Sequence, residues 1–202
     1  MGGLLANFRN TLIVSTILAL VLVFAYGQAY GGFDIRFWQA FMRWVHVFFG
    51  ILWIGLLYYF NFVQIRKMPD IPAELKPAVS KYIAPEALFW FRWAAIFTLV
   101  AGVILAHLNG YLADVLTLGA TSGFENRQFL LLGIGVWLAI IMAANVWMFI
   151  WPNQKVALGL VEADADRKAK AARTAMLFSR TNLLLSLPML VSMTMSQTLF
   201  AS

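Results

Sequence analysis

Cysteine is missing from all 202 residues, which removes disulfides, thiolate metal sites, iron–sulfur clusters and covalently attached c-type haem from this chain. Charge is scarce too: Asp, Glu, Lys and Arg make up 12% of the residues, against about 25% in soluble domains. Acidic residues number nine and histidines two. No acid lies mid-way along an apolar run, and no paired repeat with broken helices is visible, so a proton-coupled transporter would lack its usual parts. What the chain has in excess is apolar surface. At 62% it exceeds the roughly 45–50% of soluble proteins, and the surplus has to face lipid.

A helix crosses a hydrocarbon core of about 30 Å with roughly 20 mostly apolar residues. Five such runs carry no Asp or Glu and no Lys or Arg: Asn10–Phe33, Trp44–Ile65, Trp93–Ala113, Gln128–Gln154 and Thr181–Ser202. The reading is an all-α integral membrane bundle, a single domain over 1–202 with spans near 10–31, 38–65, 87–113, 128–152 and 177–200. Thr11 to Ala25, preceded by Arg9, also has the form of a signal-peptide core, and is expected to stay as the first transmembrane helix.

The net charge of +6 is explained by topology better than by nucleic acid, for no soluble fold presents these cations to phosphates. With the amino terminus cytoplasmic, that side collects Arg9, Arg66, Lys67, Lys76, Lys81, Lys155, Arg167, Lys168, Lys170, Arg173 and Arg180. Arg36, Arg43 and Arg127 fall opposite, and Arg92 lies inside a helix. This bias predicts an odd number of spans with the carboxyl terminus outside, and suits a bacterial inner membrane. Trp38, Trp44, Tyr58, Tyr59, Trp90, Trp93, Trp147 and Trp151 fall near span ends, where aromatic rings anchor at headgroups.

Met68 to Pro85 carries four prolines and is expected to be a non-helical cytoplasmic loop, with Asp114 to Arg127 as an outer loop. Glu162 to Arg173 puts acids first and bases last, as a helix dipole favours, and spaces Asp164 to Lys168 and Asp166 to Lys170 as i,i+4 pairs. It reads as a solvated helix leading into the fifth span.

Polar groups inside a membrane are costly and usually face the bundle interior. On the second span, Gly50, Trp53, Asn61 and Gln64 all fall within about 60° of His46 at 100° per residue. On the third, Arg92 and His107 share a face about 22 Å apart. Counting inward predicts two layers. The outer one pairs His46 with His107; the inner one holds Asn61, Arg92, Asn145, Arg180 and Asn182. Two imidazoles on facing helices suit the axial positions of a haem, and His46, His107, Trp53, Arg92 and Asn61 are the candidate cofactor-binding residues. An inner arginine suits a haem propionate, a quinone headgroup or an anionic substrate. The plain alternatives stay open: histidines that only bond across helices, and arginines that snorkel to lipid phosphate.

The text WVHVFFGILWIGLLYYFNFVQ at Trp44–Gln64, with FRWAAIFTLVAG from Phe91, NVWMFIWPNQK from Asn145 and SRTNLLLSLPML from Ser179, resembles the membrane domain of bacterial membrane-bound urate oxidases (urate hydroxylases) over about 36–195. His46, Trp53, Gly55 and Tyr58 are also similar to the haem-binding helix of the membrane porphyrinogen oxidase and copper-resistance membrane protein group. The resemblance implies redox chemistry, haem b on His46, and urate as a substrate class. Longer family members add further helices and a cytochrome c domain, so electrons here would leave to a separate cytochrome.

Two classes of function follow. One is a membrane redox protein binding haem b; the other is an accessory or structural subunit of a larger respiratory, photosynthetic or oxygenase complex. For the second, small residues at Gly50, Gly102, Gly133 and Gly135 allow close helix approach within the chain or with other membrane subunits.

Overall fold

The computed structural model describes residues 2–200, which form helices and connecting turns with no strand among them. Five helices are long and apolar enough to cross a membrane: α1 (Phe8–Ala29), α2 (Ile35–Asp70), α3 (Lys76–Leu108), α4 (Arg127–Ala157) and α5 (Ala165–Leu199). Side chains cap four of the five starts. Asn7, Asp34 and Asp164 accept from the backbone N–H three residues on, and Asn126 from that of Gln128, satisfying donors a helix start leaves bare.

The expected loop from Met68 to Pro85 shrinks to the bend and turn at Ile71–Leu75, between the two helices. Pro77 lies in the first turn of α3, where a missing N–H costs nothing, while Pro69 falls in the closing 3-10 turn of α2 and Pro85 follows directly on the π-helical turn Val79–Ile83 within α3. The third span ends at Leu108 rather than near 113, because Gly110 turns the chain at φ +78° into a separate short helix, Leu112–Leu116. The i,i+4 pairs expected of Asp164 and Asp166 do not form. Asp164 spends its carboxylate on the cap, and the single ion pair among the described residues is Lys67 with Asp70 at 3.1 Å.

The core is a four-helix assembly of α2, α3, α4 and α5. Trp53, Leu57 and Phe60 of α2 meet Leu88, Phe91 and Ala95 of α3, Ala139, Met142, Val146 and Ile150 of α4, and Met189 of α5. α2 and α3 run antiparallel in a defined register: Gln39 Nε2 donates to the Leu108 carbonyl at 2.8 Å, and Phe49 stacks on Phe97 at 4.8 Å. Phe60 then meets Phe91 edge-on at 5.5 Å. α5 lies along α4 through a stripe of small and polar residues, Ala171, Ala175, Ser179, Asn182, Ser186, Ser192 and Ser196, all buried. Close approach depends on glycine at two points. A Cβ on Gly135 would stand 2.9 Å from Ser192 Cβ, and one on Gly133 would overlap the Val115 carbonyl oxygen.

α1 is the exception. Only 6% of its most apolar window is buried, and its packing is limited to Gly27 and Phe24 against Phe33 and Phe37 at the turn into α2.

Candidate functional site

Three of the core helices carry π-helical turns, and all three lie at the end of the bundle where the basic residues gather. Each is marked by an N–H bonding five residues back: Ile65 to Phe60, Ala84 to Val79, and Trp151 to Val146. Such turns widen a helix by one residue and recur at functional sites. Asn61 and Gln64 lie in the first of them and Trp147 in the third, with Asn145 one residue before it.

The polar layer built there is partly satisfied. Asn182 is fully buried; its Oδ1 accepts from Asn145 Nδ2 at 3.0 Å and its Nδ2 donates to the Met142 carbonyl at 2.9 Å. Asn61 Nδ2 donates to the Leu57 carbonyl and to Ser179 Oγ, both at 2.9 Å. One turn deeper, Tyr58 and Ser186 share a hydroxyl contact at 3.3 Å. Against these stand five sealed polar atoms with no partner: Trp53 Nε1, Asn61 Oδ1, Gln64 Oε1, Arg92 Nη1 and Trp147 Nε1. Natives bury few such atoms, and each calls for an explanation.

Arg92 does not snorkel outward. It is 9% exposed, and its Cζ lies 3.5 Å from the centroid of the Trp151 ring. Trp151, read as a headgroup anchor, is instead the aromatic face on which a buried cation rests; sequence gives no warning, because the two residues are far apart in the chain. Arg180 is exposed and takes no part in the layer. Trp53 is a core residue at 1% exposure, and Trp147 packs edge-on against Trp93 at 5.7 Å.

Towards the opposite end, His46 Nδ1 lies 2.8 Å from the Thr98 carbonyl. A carbonyl only accepts, so Nδ1 carries the proton and Nε2 keeps its lone pair. The ring fits because residue 102 has no side chain: a Cβ there would stand 2.9 Å from both Nδ1 and Cε1. His107 does not join it. In the register of α2 on α3, the Leu108 carbonyl meets Gln39 and the Thr98 carbonyl meets His46, so His107 sits beside Gln39, about 10 Å along the axis from His46. It is also exposed, and five residues of helix turn it roughly 140° away from Gly102. The equal depth expected from counting inward took no account of where the two helices begin to pack.

The two histidines are therefore not brought together. Among the described residues no three His, Cys, Asp or Glu side chains group as ligands for a bare metal ion. Further out, Arg36, Gln39, Arg43, Trp44 and Asn109 line a shallow open depression of about 470 Å³. Beside it, burial pushes the Tyr111 phenol above its ordinary pKa, and Arg43 draws it part of the way back.

Residues 108–200, a little under half of the chain, match the family model described as urate oxidase N-terminal, and this stretch is similar to that domain. No curated protein and no solved structure matches the chain. The matched stretch holds α4 and α5, and with them Asn145, Trp147, Trp151, Ser179 and Asn182. His46, Trp53, Asn61, Arg92 and His107 all precede it. The molecule has the five helices of a multi-pass membrane protein and is similar over this stretch to the urate oxidase N-terminal family.

Proposed function

We propose that this is a membrane redox protein that holds haem b through His46 and passes electrons to a separate cytochrome. The observation that carries the reading is the bond from His46 Nδ1 to the Thr98 carbonyl. A second-sphere acceptor on one ring nitrogen fixes the tautomer and leaves the other as a ligand, the arrangement that metal-binding histidines adopt. Gly102 supports it, since any side chain there would push the ring off the carbonyl. When bound, a haem supplies one-electron chemistry. The chain would hold the group through a single imidazole, that of His46. Urate is the substrate class suggested by the resemblance and by the matched stretch.

The test is a reduced-minus-oxidised visible spectrum of the chain purified in mild detergent, with His46→Ala and His107→Ala beside it. A b-type band is expected, lost in His46→Ala and retained in His107→Ala. A featureless spectrum from folded protein would remove the proposal.

One observation favours the alternative, an accessory subunit of a larger membrane complex. α1 leaves nearly its whole surface uncovered, including Ile17, Leu18, Val21 and Leu22, each at least half exposed. Lipid covers such a helix, and so does a neighbouring subunit; co-purification in fixed stoichiometry with other chains would point to the second.

A further inference from the structure

We propose that Arg92, Trp151 and Lys155 form an oxyanion site between α3 and α4 at the basic end of the bundle, taking a phosphate or carboxylate group. Two cations converge on one ring: Arg92 Cζ lies 3.5 Å and Lys155 Nζ 5.8 Å from the Trp151 centroid. Neither has a counter-ion, for the only ion pair among the described residues is Lys67 with Asp70. The nearest acid in the sequence of α3, Glu86, is engaged through Oε1 by Trp90 Nε1 at 2.9 Å.

Arg92 makes no hydrogen bond to the protein, although it is 9% exposed and its Nη1 is sealed. A buried guanidinium ordinarily finds a carboxylate, a carbonyl or a phosphate. Resting over an indole satisfies the face of the guanidinium; with Nη1 sealed, the in-plane fork onto two oxygens falls to the Nε and Nη2 edge, which makes no bond to the protein. Lys155 adds a point charge 5.8 Å from the centroid of the same ring. The sequence order Trp151-Pro152-Asn153-Gln154-Lys155 places ring and ammonium one helical turn apart, which is why Lys155 reaches the ring that Arg92 meets from α3. The ligand is thus an oxyanion held by a fork and a second cation, supplied either by the headgroup of an anionic lipid or by a soluble anion. The site is distinct from His46, which sits on α2 against Thr98, six residues or about 9 Å along α3 from Arg92.

Delipidated full-length protein in non-ionic detergent would be titrated by native mass spectrometry with phosphatidylglycerol, with phosphatidylcholine and with inorganic phosphate. Saturable binding of phosphatidylglycerol but not phosphatidylcholine is expected if a lipid is the source, and binding of phosphate as well if a soluble anion is. Arg92→Gln should weaken either by about ten-fold or more, the scale of charge-assisted hydrogen bonds, and Lys155→Gln by a smaller factor. Arg66→Gln, an exposed cation at the same end, should change neither. Should Arg92→Gln fail to elute as folded protein, Lys155→Gln decides alone. Unchanged affinity in these variants, an equal loss in Arg66→Gln, or no binding by the wild type would each overturn the site.

Discussion

Two residues with no charge decide much of the interior. Asn182 joins α5 to α4 through both ends of its amide, to Asn145 Nδ2 and to the Met142 carbonyl, with no exposure at all. Asn182→Leu would strand the Asn145 Nδ2 donor in an apolar setting and remove the side-chain donor to the Met142 carbonyl. Membrane hydrogen bonds average about 0.6 kcal/mol and reach about 1.7, so a loss of about 1–2 kcal/mol is expected. Unfolding in mixed micelles measures it, and an unchanged midpoint would mean that the pair is idle. Gly102 acts differently, by the volume it leaves. Gly102→Ala would put a carbon 2.9 Å from two atoms of the His46 ring and turn it off the Thr98 carbonyl. The expected outcome is a weakened or shifted b-type spectrum with full helix content. A spectrum identical to wild type would show that the orientation of His46 does not matter to the cofactor.

At the scale of the helix, α1 stands apart from the four that build the core. Its contacts are those of the turn into α2, where Gly27 lies against Phe33 and Phe37. Deleting residues 1–30 should therefore leave the four-helix core folded, with a thermal midpoint within about 4 °C of the full chain, the shift that roughly 1 kcal/mol brings to a chain of this size. A collapse of the melt on truncation would show that α1 docks in the membrane. The existence of all five helices was legible in the sequence, because a run of apolar residues long enough to cross a bilayer has few other fates. Their ends were less so: Gly110 cuts α3 short and its start lies at Lys76, with Pro77 in the first turn, details of single residues that hydropathy averages away. The site was legible in part. Asn61 does enter the bundle interior and Arg92 is buried, as the cost of polar groups in lipid requires. The π turns were not, since an extra residue in a helix leaves no mark on composition, and the Arg92 to Trp151 contact depends on a register between helices that side-chain volumes set. The same register is what parts His46 from His107.

For the whole molecule, the uneven distribution of cations carries the strongest consequence. Arg66, Lys67, Lys76 and Lys81 border the α2–α3 connection, and Lys155, Arg167, Lys168, Lys170 and Arg173 border or follow that between α4 and α5. The connection from α3 to α4 holds Asp114 and Glu125 and has no base before Arg127. Basic segments near span ends resist translocation, so the first group should face the cytoplasm and the α3–α4 connection the outside. Because the chain has no cysteine, single thiols report orientation without background. Lys81→Cys and Ala120→Cys, both at exposed positions, would be treated in intact cells with a membrane-impermeant maleimide. Labelling of Ala120→Cys at once, and of Lys81→Cys only after permeabilisation, is the expected result. The reverse pattern would place the Arg92, Trp151 and Lys155 cluster on the outer face, where it would meet a different lipid leaflet and different soluble anions. Labelling of both in intact cells would mean that the α2–α3 and α3–α4 connections lie on one side, which an α3 spanning the bilayer forbids.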